Sequence, residues 1–168
     1  MSHTAICVHT LGTEPDDMVV AIGVATFDTK NELSRELFIV DLESQPGRYI
    51  EPRSMRWWMG QPEESRGVFE QEGEPLDVVL SYIFDIIAKT TGMLLIRKDD
   101  VAVFKNIKSR FTTSAVDIDE VIVDAPLPRD TFVVYPESHQ AALVASADGA
   151  TLRALWRAQE RVRNQDAA

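Results

Sequence analysis

The spacing of apolar residues along the chain changes more than once, and these changes outline the elements. Residues 5–8 form a short apolar run, followed by the turn Leu11-Gly12-Thr13-Glu14-Pro15. Residues 18–27 are rich in β-branched side chains and read as a buried strand, and residues 36–40 read as a third. Together the three predict an antiparallel meander. A polar loop is expected over residues 41–53, around Pro46-Gly47. Trp57, Trp58 and Met59 then precede Gln61-Pro62-Glu63-Glu64, where Pro62 suits the first turn of a helix and the acids suit its dipole. Beyond Pro75, residues Leu76, Val79, Leu80, Ile83, Phe84 and Ile87 recur at helical spacing, and Gly92 closes that helix. Residues 93–96 predict a fourth strand, residues 101–111 a helix, and residues 131–135 a fifth strand. Residues 150–163 read as an amphipathic helix, with Leu152, Leu155, Trp156 and Val162 on one side and Arg153, Arg157 and Arg161 nearby. Strands first, then helices alternating with strands, make an α/β domain. With no repeat and no linker, residues 1–168 form one such domain.

Composition agrees with a soluble globular chain, at 45% apolar and 26% charged residues. A single cysteine, Cys7, excludes an internal disulfide and fits a reducing compartment. Residues 1–10 lack a basic segment followed by a long apolar one, and residues 18–27 are too short to span a bilayer. A cytoplasmic protein without membrane contact is expected. Charge narrows the picture further: 17 Lys and Arg against 27 Asp and Glu leave a net charge of -10. Grip on nucleic acid usually comes from basic side chains that neutralise phosphates, so weak or absent nucleic-acid binding is expected unless a local basic patch exists.

Several motifs carry a resemblance. Thr10-Leu11-Gly12-Thr13 follows the first strand, and Val19-Val20-Ala21-Ile22-Gly23-Val24 follows the turn. Next come Asp41-Leu42-Glu43-Ser44-Gln45, then Gly47, Arg48 and Ile50. The most specific segment is Ser54-Met55-Arg56-Trp57-Trp58-Met59-Gly60-Gln61, with Glu64 and Arg66 after it. In these respects the chain resembles the small DEDD-type 3′–5′ exoribonucleases and phage exonucleases of the RNase H-like superfamily. The likeness is strong over residues 6–69 and looser beyond. It implies an RNase H-like mixed β-sheet flanked by helices.

The resemblance also implies a chemistry. In such nucleases four carboxylates hold two divalent cations, which activate water and stabilise the leaving oxygen, while a histidine takes the proton. Carried over by motif, the Asp-x-Glu pair falls on Cys7 and His9. The Asp after Phe falls on Lys105, within Phe104-Lys105-Asn106. The final motif falls on residues 139–145, where His139 keeps the base and Val144 replaces the last Asp. No position keeps a carboxylate, so both Mg²⁺ ions are expected to be lost and no metal is expected in their place. Asp99, Asp100 and Asp148 are the conceivable substitutes, but the first two read as loop residues and the last lies beyond the histidine helix.

Other signals have plainer readings. Cys7 and His9 share a strand face and with His139 would offer Zn²⁺ nitrogen and sulfur, yet no fourth ligand is evident, so they read as fillers of a vacated site. A Cys–His nucleophile lacks an accompanying oxyanion motif. Trp57 and Trp58 suit base stacking, but the split of one core ring and one cleft or dimer ring is preferred, and the family's dimeric members imply a homodimer. Gln61 and Arg66 join them as candidate nucleic-acid or partner contacts. The acids of residues 63–74 read as a solvated face or a docking surface for a basic partner. The leading expectation is therefore a pseudoenzyme that binds an unidentified protein, in its phage-encoded form a modulator of a host enzyme in the host cytoplasm. The alternative is a 3′–5′ exonuclease or single-strand-binding protein with residual or rearranged metal-dependent activity.

Overall fold

The structure, a computed structural model, describes residues 2–28, 32–61, 63–92, 94–111 and 122–124, together with residues 164 and 167. Five strands lie in the order β3-β2-β1-β4-β5. β1 (His3–Thr10), β2 (Val19–Phe27) and β3 (Glu32–Ile39) form the expected antiparallel meander. β4 (Leu94–Arg97) and β5 (Ile122–Asp124) add to the other side of β1 in parallel. The result is the mixed, helix-flanked sheet of the RNase H-like fold.

Each face of the sheet follows from side-chain alternation. Ile6 lies opposite Val24 and Val8 opposite Ile22, and all four pack toward the helices. α3 (Leu76–Ala88) meets them with Leu76, Val79, Leu80, Ile83, Phe84 and Ile87, the set that its periodicity marks. α4 (Lys98–Phe111) adds Val103, Phe104 and Ile107, and the rings of Phe84 and Phe104 stand 6.0 Å apart. Burying such side chains stabilises the fold by about 1.5–3 kcal/mol each, before conformational entropy is subtracted. Ala21, on the opposite face, packs with Leu11, Val20, Val68 and Trp58 of α1 (Pro52–Met59).

Four expectations change. The loop at residues 41–53 is cut short, because Pro52 opens α1 and both tryptophans lie inside that helix. Proline suits this position, where its missing N–H has no helical partner to lose. The helix after position 62 is a single turn, α2 (Glu63–Arg66). β3 starts at Glu32, its charged residues having hidden an edge strand that needs only one apolar face. A strand not expected from the sequence, β5, forms at Ile122–Asp124, and the expected strand at 131–135 and helix at 150–163 lie outside the described residues. α4 begins at Lys98, directly after β4, so Asp100 is helical. Among the described residues no helix is long and apolar enough to cross a membrane.

Candidate functional site

β1 outlasts its parallel neighbour. Its last pair with β4 is Ile6 with Ile96, yet it continues to Thr10. The crevice past the end of a parallel pair is where sheets of this class bind ligands. Here the Asp100 carboxylate, on the first turn of α4, fills the missing strand's role: its Oδ2 accepts from the Val8 backbone N–H at 3.1 Å. A buried strand N–H without an acceptor would be costly, so this contact lets β1 run on past the end of its pairing with β4.

Cys7 and His9 occupy the same strand face, as their spacing requires. The thiol is fully buried, and its sulfur stands 3.4 Å from His9 Nε2. His9 in turn meets the edge of Trp58, with ring centroids 6.2 Å apart. Trp58 is buried, donates its Nε1–H to the Thr10 carbonyl at 3.3 Å, and packs edge-on against both Trp57 and Phe69. Trp57 is 53% exposed. The tryptophans therefore split as expected, one ring in the core and one at the surface.

Between these elements lies a pocket of about 230 Å³, lined by Val8, His9 and Thr10 of β1, Ser54, Trp57 and Trp58 of α1, and Asp100. Thr10 and Asp100 also line a neighbouring pocket of about 400 Å³, whose other walls are the turn at Gly12, Thr13, Glu14 and Pro15 and the α4 residues Ala102 and Val103. The two hollows share a wall and form one groove along the end of β1.

Two motif residues without an assigned role in the sequence, Gln45 and Arg48, prove to be buried ties, and a third, Gly12, makes a close approach. Gln45 returns its side chain to Val19, accepting from the N–H and donating to the carbonyl at 2.8 Å each, as a strand partner would. Arg48 donates to the carbonyls of Asp17 and Pro15 and to Asn106 Oδ1, at 2.9, 2.8 and 2.7 Å. Burial, and then Arg110, push its guanidinium below the ordinary arginine value, while Asp16 and Asp17 pull the other way. Gly12 leaves no room for a Cβ beside the Asp17 carboxylate, which accepts from the Glu14 N–H at 2.8 Å.

The other sequence candidates are placed less centrally. Lys105 is exposed on α4, and Asp100 rather than Lys105 is the α4 residue lining the pocket with His9. The reason is local: α4 follows β4 without a loop, so its first turn faces the end of β1. Gln61 donates to the Trp57 carbonyl at 2.8 Å, closing the end of α1. Arg66 is partly buried, with its Nε enclosed and lacking a hydrogen-bond partner. His139 and Val144 lie outside the described residues.

Among the described residues, the donor set at the end of β1 does not fit a pair of Mg²⁺ ions. Such a centre asks for several hard oxygen ligands. At the end of β1 stand one thiol, one imidazole and one carboxylate already bonded to Val8. Among the described residues no three His, Cys, Asp or Glu side chains converge on a point that could hold a metal.

The family described as the 3′–5′ exoribonuclease Rv2179c-like domain matches residues 2–127. No curated protein matches the chain. Among solved structures, exonuclease I of E. coli in complex with an oligonucleotide aligns over 92% of this chain and 39% of its own, at 15% identity and a TM-score of 0.57. Exonuclease I of Methylocaldum szegediense aligns over 89% of this chain and 38% of its own, at 12% identity and 0.55. Another E. coli exonuclease I complex gives 19% identity over 65% of this chain and 24% of its own, at 0.51. The chain thus spans only about a quarter to two-fifths of those proteins, and the likeness concerns the fold. Neither fold nor family supports an inactive, protein-binding modulator; both are those of exonucleases.

Proposed function

The chain belongs to the Rv2179c-like 3′–5′ exoribonuclease domain family, and on that premise we propose that it engages the 3′ end of a single-stranded nucleic acid in the groove along the end of β1. The observation that carries this reading is Trp57, more than half exposed on the wall of the pocket that holds His9. An exposed ring braced edge-on by a buried one is a rigid surface on which a base can stack, whatever its identity. The net charge of -10 opposes phosphate binding, but α1 itself runs counter to it. Its sequence PRSMRWWM holds two arginines and no acid, and Arg53 and Arg56 are exposed beside Trp57. They supply the local positive field that the whole chain lacks.

The reading includes loss of the two-Mg²⁺ centre and, with it, residual hydrolysis compared with a carboxylate-bearing relative. His9 and Asp100 remain as groups that can hold a terminal hydroxyl or a water by hydrogen bonds. Labelled RNA and DNA oligonucleotides, followed by fluorescence anisotropy at low and high salt, test the binding. Salt-sensitive affinity for single strands is expected, together with slow loss of the 3′ label at most when Mg²⁺ or Mn²⁺ is added. Absence of binding to either oligonucleotide at micromolar protein would end the proposal.

A further inference from the structure

The larger hollow of the groove has two walls from distant parts of the chain, the turn at residues 12–15 and the start of α4. Arg48 is bonded to the turn at Pro15 and to α4 at Asn106. Its backbone is fixed to the turn side: Tyr49 donates to the Asp16 carbonyl at 3.2 Å, and Met18 to the Tyr49 carbonyl at 2.7 Å. Gly47, at φ 78°, lets the chain double back to make these bonds. The guanidinium then holds Pro15 and Asp17 with two donors and reaches α4 with a third, at Asn106. Asn106 lies three and four residues beyond Val103 and Ala102, on the same helix face as those wall residues.

Packing alone does not account for this choice. Arg48 is 6% exposed, and all three of its acceptors are neutral oxygens. The Asp16 and Asp17 carboxylates favour its charge from nearby, yet a cation this buried costs stability that an apolar residue of similar volume would not. What a guanidinium provides is geometry, because a planar fork fixes three acceptors at set distances and angles. We propose that Arg48 is a positioning residue, a strut that with Asn106 sets the width of the groove for a single strand. This rests on the nucleic-acid reading above.

Asn106→Ala cuts the tie to α4 and leaves both turn contacts in place, Asn106→Asp keeps an acceptor there, and Val79→Ala weakens the core away from the groove. The strut predicts a loss of oligonucleotide affinity in Asn106→Ala of about three- to tenfold, the scale of one charge-assisted hydrogen bond. Asn106→Asp restores affinity, and Val79→Ala keeps it despite a lower melting temperature. Wild-type affinity in Asn106→Ala, or an equal loss in Val79→Ala, overturns the strut. If the wild-type chain binds no oligonucleotide, the nucleic-acid reading fails and amide hydrogen exchange decides the strut separately. Faster exchange at Glu14 and Asp17 in Asn106→Ala supports it; unchanged exchange refutes it.

Discussion

Asp100 Oδ2 accepts a hydrogen bond from the Val8 N–H at 3.1 Å, joining the first turn of α4 to the strand that carries Cys7 and His9. The contact ends the sheet's pairing on that side of β1 and opens the groove beyond it.

Asp100→Ala leaves the buried Val8 N–H without its acceptor and is expected to cost about 1–3 kcal/mol in urea unfolding. Asp100→Asn keeps a carbonyl oxygen at the same place and should recover most of the loss. Equal stability of the alanine variant and the wild type would show that the bond contributes nothing.

Asp100 also shows where sequence reading stops. The run Arg97-Lys98-Asp99-Asp100 is fully charged and reads as a loop, but acids in a first turn are also what a helix N-terminus favours. The strands β1 and β2 and the helix α3 were legible, because each buries a continuous apolar stripe whose period is visible. α1 was not, because it buries Trp58 yet exposes Trp57 and Met59, and its apolar residues therefore run consecutively. β5 is three residues long, too short for any period to show. The shared face of Cys7 and His9 followed from strand alternation, and their contact bears it out. The roles of Gln45 and Arg48 were not legible, since a long-range tie leaves no local pattern.

The two tryptophans should separate stability from binding. Trp58→Ala removes a 3% exposed ring with three aromatic neighbours and is expected to cost about 3–5 kcal/mol. Trp57→Ala should stay within about 1 kcal/mol of wild type while weakening oligonucleotide binding by about 1–3 kcal/mol. Calorimetry and anisotropy on the same preparations check both, and a Trp57→Ala protein with intact affinity would remove the stacking surface from the account.

Gly73 offers a backbone test. A Cβ there would stand 2.5 Å from both Asp41 N and Val40 C, and neither can swing aside as a flexible side chain would. Gly73→Ala is expected to destabilise by about 1–3 kcal/mol, the range of core overpacking. Gly67→Ala, with open space around its Cβ, is the control and should be close to neutral.

Placing carboxylates at Cys7 and His9 should create metal linkage. Cys7→Asp with His9→Glu puts two acids beside Asp100, one of them at a fully buried position. Without a cation this double variant should melt well below wild type, because buried like charges are unfavourable. Mn²⁺ at a hundredfold excess over its dissociation constant should return about 2.7 kcal/mol. Equal stabilisation of the wild-type chain by Mn²⁺ would contradict the loss of the metal centre.

The indoles of Trp57 and Trp58 stand 5.3 Å apart at 82°, one in solvent and one in the interior. Indole rings held that close exchange excitation, and the pair should contribute to the ultraviolet circular dichroism spectrum. A ligand that stacks on the outer ring would disturb that coupling. The protein therefore carries its own optical gauge, able to register an arriving ligand without any attached dye.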